Sequence, residues 1–161
     1  MKVPPQLVIR RPDPARFAAE ADAATALVLA SRRAALPWLR EAHTDEETAR
    51  WMRETVFPRH SVWLAVFERD IVGLATRDGA WLANLYVKPE WTSHGIGGAL
   101  LAKILAEAAI VTPVLRLHTF ARNAGARRFY ERHGFTVTAL GDGSGNEEHE
   151  PDVRYERPTR G

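Results

Sequence analysis

The chain has 161 residues, 45% of them hydrophobic and 26% charged, which is ordinary for one globular domain and excludes a disordered or collagen-like chain. It contains no cysteine, so disulfides, thiolate metal sites and a cysteine nucleophile are excluded together. The net charge of +2 from 22 basic and 20 acidic residues gives no indication of nucleic-acid binding, and the Arg-rich skew (only Lys2, Lys88 and Lys103 are lysines) is more economically a matter of base composition. No apolar stretch approaches the ~18 residues of a membrane span, and the opening residues lack a secretory signal. These features predict a single cytoplasmic domain over residues 1–161, without membrane or nucleic-acid partners.

In chain order, Leu7-Val8-Ile9 reads as a first strand. Asp13-Pro14 has the form of an N-cap followed by proline at the first helical position, and Phe17, Ala21, Ala24, Leu27 and Val28 recur on one helical face. Pro37 interrupts that helix. Thr44 and Glu47 have capping-box spacing, with Trp51, Met52 and Val56 as the expected buried face and Pro58 as the stop. Three strands follow, Val62–Glu68, Ile71–Arg77 and Trp81–Val87, with turns at Arg69-Asp70 and Asp78-Gly79. The first of these is almost continuously apolar, as a strand covered on both faces would be. From Gly95 the period becomes helical, with Ile96, Leu100, Leu101, Ile104, Leu105 and Ala108 on one stripe and Pro113 beyond its end. Leu115–Phe120 is a strand, Asn123–His133 a helix ending at Gly134, and Phe135–Leu140 a strand. A Gly-rich acidic loop, Gly141–Glu150, leads to a last strand near Val153–Glu156.

The chemistry is concentrated in two stretches. In Leu85-Tyr-Val-Lys-Pro-Glu-Trp-Thr-Ser-His-Gly-Ile-Gly-Gly98 a strand feeds a loop that opens a helix. Amides at a helix start lack intrahelical partners and lie at the positive end of the helix dipole. Gly95, Gly97 and Gly98 would admit a phosphate to those amides, or else serve only a tight turn and close packing. A dinucleotide fingerprint is not met, because Leu100 stands where its third glycine belongs. In Asn123-Ala-Gly-Ala-Arg-Arg-Phe-Tyr-Glu-Arg-His-Gly-Phe135, Ala126, Phe129, Tyr130 and His133 share one helical face.

Together the two stretches resemble the signatures of the GCN5-related N-acetyltransferase (GNAT) family, L-Y-V-x-P-x-x-[QR]-G-x-G-I-G and N-x-x-A-x-x-F-Y-E-x-x-G-F. The element order extends the resemblance over nearly the whole chain. It implies an α/β fold with a mixed central sheet of about six or seven strands, splayed in the middle and flanked by about four helices. It further implies an acetyl-CoA-dependent N-acetyltransferase that moves an acetyl group to a primary amine of a small molecule or peptide by direct attack; the histidines other than His118 show no metal-ligand spacing, so no metal is expected. A non-catalytic acyl-CoA sensor, or an enzyme acting on a protein N-terminus or lysine, is the alternative, and homodimers are common in the family. The chain departs from the pattern at Thr92, usually Gln or Arg, and at Ser93, usually Gly.

Residue by residue, the resemblance implies that Leu85, Tyr86 and Val87 pair with the pantetheine arm, with the Val87 N–H polarising the thioester carbonyl. Thr92, Ser93, His94, Gly95, Ile96, Gly97 and Gly98 would hold the pyrophosphate. Asn123 matches a position contacting coenzyme A, or is a plain N-cap; Arg127 and its basic neighbours meet the 3′-phosphate, or form a solvated face. Tyr130 matches the general acid. The family's frequent base carboxylate is replaced by Ala83, which leaves His118, Glu147 or Glu148 as bases, or no base at all. The acceptor side is expected to involve Trp38, Asn84, Asp142, Glu147 and Glu148, whose carboxylates would favour a cationic amine or merely be solvated.

Overall fold

The computed structural model describes residues 2–161. Its strands are β1 (Leu7–Arg10), β2 (Ser61–Phe67), β3 (Asp70–Asp78), β4 (Trp81–Val87), β5 (Val114–Phe120), β6 (Thr136–Gly141) and β7 (Asp152–Pro158). They form one sheet in the order β1-β2-β3-β4-β5-β7-β6. Neighbours are antiparallel except β4 and β5, which run parallel. The helices are α1 (Phe17–Ala35), α2 (Asp45–Trp51, extended by a π turn over Met52–Val56 and a last turn over Phe57–Arg59), α3 (Ile96–Val111) and α4 (Ala124–Arg132). This is the mixed sheet with four helices implied by the resemblance.

Two cores lie on opposite faces of the sheet. On one, Ala21, Ala24, Leu27 and Val28 of α1 and Met52 and Val56 of α2 pack on Val62, Leu64 and Leu74. On the other, Ile96, Leu100, Leu101 and Ile104 of α3 and Tyr130 of α4 pack on Ala65, Val72, Leu117 and Tyr155. Because β2 supplies Leu64 to one core and Ala65 to the other, its sequence is apolar at every position from Val62 to Phe67. Each fully buried Leu or Ile contributes about 1.5–3 kcal/mol.

The helix ends follow from their sequences. Thr44 Oγ1 accepts from the Glu47 amide at 3.1 Å and Glu47 Oε1 accepts from the Thr44 amide at 2.9 Å, completing the capping box. Pro58 lacks the N–H a regular helix would use, and the chain widens into the π turn just ahead of it, where the Phe57 amide reaches the Met52 carbonyl. At the end of α4, Gly134 adopts φ +86°. Its amide donates to Glu131 O at 3.2 Å and the Phe135 amide to Tyr130 O at 3.0 Å, which is a Schellman closure.

Two local expectations are corrected. The β2–β3 turn is Glu68-Arg69, with Phe67 paired to Asp70, because Glu68 rather than Asp70 takes the positive φ of +56°. Trp51 is not core: it is 42% exposed, at the border of the stripe that buries Met52 and Val56.

Candidate active site

The sheet opens between its two parallel strands. Only Trp81 and Arg116 pair across β4 and β5, fastened by the Arg116 amide on Ala80 O at 2.8 Å. Beyond that point the β4 edge is bare. Lys88 donates to Val72 O at 2.8 Å, so the antiparallel alternation turns the Tyr86 amide toward β3 as well. The same alternation turns the N–H and C=O groups of Leu85 and Val87 into the gap. A bulge in β4 at Ala83 shifts the register between Thr76 and Arg77. It leaves Asn84 and Tyr86 on the α1–α2 face while Leu85 and Val87 pack toward α3.

The loop after β4 directs a row of amides at the end of this gap. Gly95 caps α3 at φ +77° with no side-chain cap. Among the described residues, the amides from Ser93 to Gly98 donate to no protein group. Ser93 holds φ +65°, where a residue with a Cβ pays about 1 kcal/mol. Its position therefore has the backbone conformation that glycine favours. Thr92 does not face an anion: its amide and hydroxyl both turn back to Pro89 O, at 3.4 and 2.9 Å. His94 Nδ1 lies 2.8 Å from Thr92 O, and Trp91 packs between His94 and Phe67 as a brace. A Cβ on Gly97 would meet the Phe129 ring at 3.4 Å, and one on Gly98 the His133 ring at 3.3 Å. Both glycines thus also serve the close approach of α3 and α4.

On α4, Asn123 Oδ1 accepts from the Ala126 amide at 3.2 Å, as an N-cap does. Arg127 is taken up by the protein: its Nε donates to the Tyr155 hydroxyl at 3.0 Å, and that hydroxyl donates to Glu131 at 2.6 Å. Tyr130 is 9% exposed, set edge-on between Phe129 and Phe135. Burial, and then the neighbouring Tyr86 phenol, push its pKa well above the usual range, so it stays protonated at neutral pH.

Across the sheet lies a groove of about 750 Å³. Asn84 and Tyr86 of β4, Trp51 and Thr55 of the α2 segment and Phe120 of β5 line it. Four carboxylates border it, Glu47, Glu54, Glu147 and Glu148, against the guanidiniums of Arg32 and Arg50. Two contacts tie the β6–β7 loop across the groove: His43 Nε2 to Glu147 at 2.5 Å and Arg32 to Glu148 at 3.9 Å. Glu147 raises the pKa of His43 by hydrogen bond and charge. The Tyr86 phenol is raised by burial, while Arg32 and Glu148 beside it act in opposite directions.

Of the residues expected on the acceptor side, Asn84, Glu147 and Glu148 meet here, together with Tyr86, which was expected to serve the donor. Three other candidates lie outside the groove lining. His118 stacks on Trp81 at 4.9 Å, with its ring exposed. Trp38 sits behind Phe120, edge-on at 6.1 Å, under Arg122 at 3.9 Å. Asp142 accepts from the Ser144 amide and hydroxyl to shape its own loop. Sequence reasoning missed Trp51, Thr55, Glu54 and Phe120. The spacing Thr48, Trp51, Met52, Thr55, Val56 was the available signal for the first two.

A sheet splayed between two parallel strands, beside a helix whose first amides are bare, defines the architecture of the acyl-CoA N-acyltransferases. The acetyltransferase (GNAT) domain family matches residues 58–137, the segment that carries both motifs and the splay. The uncharacterized N-acetyltransferase YafP of Escherichia coli (strain K12) is 29% identical over 94 residues, 58% of this chain. The match spans about half the length of that relative, 55%. The apo form of YjaB from Escherichia coli superposes with TM-score 0.73 at 24% identity, over 93% of this chain and 96% of that one. The PaiA N-acetyltransferase of Thermoplasma acidophilum, solved in complex with coenzyme A, superposes with TM-score 0.68 at 19% identity, over 94% and 98%. The chain thus has the fold of the GNAT acetyltransferases, with residues 58–137 matching the domain of that family.

Proposed function

We propose that the protein is an acetyl-CoA-dependent N-acetyltransferase acting on a primary amine of a small molecule or peptide. The observation that carries this reading is the bare β4 edge at Leu85 and Val87, continuous with the unpaired amides from Ser93 to Gly98. These groups fit the extended amide arm and the pyrophosphate of acetyl-CoA, which supplies the activated thioester when bound. The Val87 N–H, turned into the gap, would stabilise charge on the oxygen of a bound thioester. Gly95, Gly97 and Gly98 leave the α3 amides accessible to phosphate oxygens.

The amine nitrogen bonds to the acetyl carbon as the carbon–sulfur bond breaks, and Tyr130 gives its phenolic proton to the departing sulfur. The burial that keeps this phenol protonated also raises the affinity of a thiolate for a proton, so donor and recipient shift together. A cationic amine first gives one proton to Glu147, Glu148 or water, which frees its lone pair for the attack, and the second proton, shed as the amide forms, returns through water to the phenol. His118, stacked on Trp81 outside the groove, takes no part. The excess of carboxylates around the groove attracts a cationic amine from solution. Tyr130→Phe is expected to lower kcat at least tenfold, while acetyl-CoA affinity measured by calorimetry stays within about twofold, since the ring and its packing are kept. Unchanged turnover would remove Tyr130 as the acid.

A further inference from the structure

One polar group in the groove is oriented from behind. Asn84 is only 6% exposed, and its Nδ2 donates to Thr76 Oγ1 at 2.8 Å. Thr76 stands directly opposite on β3 and is wholly buried. Its hydroxyl lies 3.4 Å from Nδ1 of His60, the residue between α2 and β2. The other ring nitrogen, Nε2, faces Asp78 Oδ2 at 3.7 Å. Among the described residues no group donates to Asn84 Oδ1, yet Trp63 Nε1 is the buried side-chain polar atom left without a partner. The amide oxygen therefore touches the open groove that Asn84 lines.

A hydroxyl caught between two partners has one proton to give, so the three groups share a single hydrogen-bond direction. With the imidazole proton on Nε2, toward Asp78, Nδ1 accepts from the Thr76 hydroxyl. Thr76 then accepts from Asn84 Nδ2, and the amide carbonyl is left for the groove. A proton on Nδ1 reverses the chain: His60 donates to Thr76, Thr76 donates to Asn84 Oδ1, and the amide turns its NH2 to the groove. The two states differ for an attacking amine. A carbonyl accepts an amine N–H and leaves the nitrogen lone pair free to react, whereas an amide NH2 donates into that lone pair and occupies it.

We propose that His60 and Thr76 are positioning residues for the acceptor. Neutral His60, protonated on Nε2, holds the Asn84 carbonyl toward the groove to accept the N–H of a primary amine, and protonation of His60 inverts the amide and weakens amine capture. This rests on the N-acetyltransferase reading above. The charged group facing His60 is Asp78, on β3; α2 presents the Trp51 ring edge-on at 6.5 Å, and β3 also presents the Thr76 hydroxyl. Burial lowers the His60 pKa, with Asp78 opposing it, so the ring is neutral at pH 7 and the carbonyl-out state prevails there.

The test pairs a readout independent of turnover with one that needs it. In a pH titration by NMR, the Asn84 side-chain amide resonances of the wild-type protein are expected to move with the same midpoint as the His60 ring, below the ordinary value for histidine. Thr76→Val should abolish the Asn84 movement while His60 still titrates, and Thr76→Ser should restore it. In acetyl transfer, Thr76→Val should raise the amine KM about five- to tenfold with the acetyl-CoA KM unchanged, and Thr76→Ser should recover it. Asn84 resonances that ignore the His60 midpoint in the wild-type protein, or a Thr76→Ser variant equal to Thr76→Val, would overturn the proposal. An absence of amine-dependent turnover in the wild type would instead sink the enzymatic reading, with the NMR coupling still deciding the chain of hydrogen bonds.

Discussion

The proposed donor end and the proposed acceptor groove are built on opposite principles. At the donor end the working groups are main-chain: the N–H and C=O of Leu85 and Val87 along a bare strand edge and the amides that open α3. In the groove they are side chains drawn from α1, α2, β4, the end of β5 and the β6–β7 loop. A main-chain site depends on backbone path, so it survives changes such as Thr92, whose side chain the protein itself uses, and Ser93, which accepts the φ that glycine usually takes. A side-chain groove has the reverse property. Its lining can be exchanged with little consequence for the sheet beneath, and specificity is therefore written there.

The sharpest way to break this contrast is at the donor end. Gly97→Glu places a carboxylate between Phe129 and Val87, among amides that carry the positive end of a helix dipole. Acetyl-CoA affinity by calorimetry is expected to fall by about a hundredfold or more through repulsion and blockage. A folded Gly97→Glu protein, judged by circular dichroism, that binds acetyl-CoA normally would contradict the main-chain site.

A smaller effect is expected in the groove. Glu147→Gln removes the charge that holds up the His43 pKa, so His43 should titrate closer to its ordinary 6.5. The sign is fixed by the raised folded-state value: the tie is fully present below the unfolded pKa and is lost as pH rises through the folded one. The variant should raise the amine KM severalfold and leave the acetyl-CoA KM unchanged, because the tie crosses only the groove. An identical His43 titration in both proteins would break the assignment.

The smallest effect is a gain. Ser93→Gly relieves the positive φ at a cost in chain entropy, so stability should rise by up to about 1 kcal/mol, read as a higher denaturation midpoint. A loss would mean that Ser93 does something its backbone does not reveal.

The same contrast explains what the sequence made legible. Element order followed from local signals: the Thr44–Glu47 box, the stripe from Ile96 to Ala108, and Gly134 after α4. The donor loop was equally local, a strand, a short loop and a helix start within fourteen consecutive residues. The insertion of β7 between β5 and β6 was not legible, because pairing depends on tertiary contact and not on periodicity. Nor was the groove, whose residues lie far apart in the chain. Trp51 read as core because it borders a buried stripe, and Trp38 and Asp142 read as acceptor residues and His118 as a base because only the fold gives them other partners. The bulge at Ala83 separates Asn84 and Tyr86 from Leu85 and Val87, and no local pattern announces it.

The central claim, a main-chain donor site feeding a side-chain acceptor groove, is tested most directly by titrating the purified protein with acetyl-CoA and following thiol release with and without a panel of primary amines. The account predicts saturable binding and release of coenzyme A that depends on the amine, with the greatest rates for amines that are cationic in solution. Absence of binding would contradict the donor site, and binding with no release for any small or peptide amine would contradict the transferase.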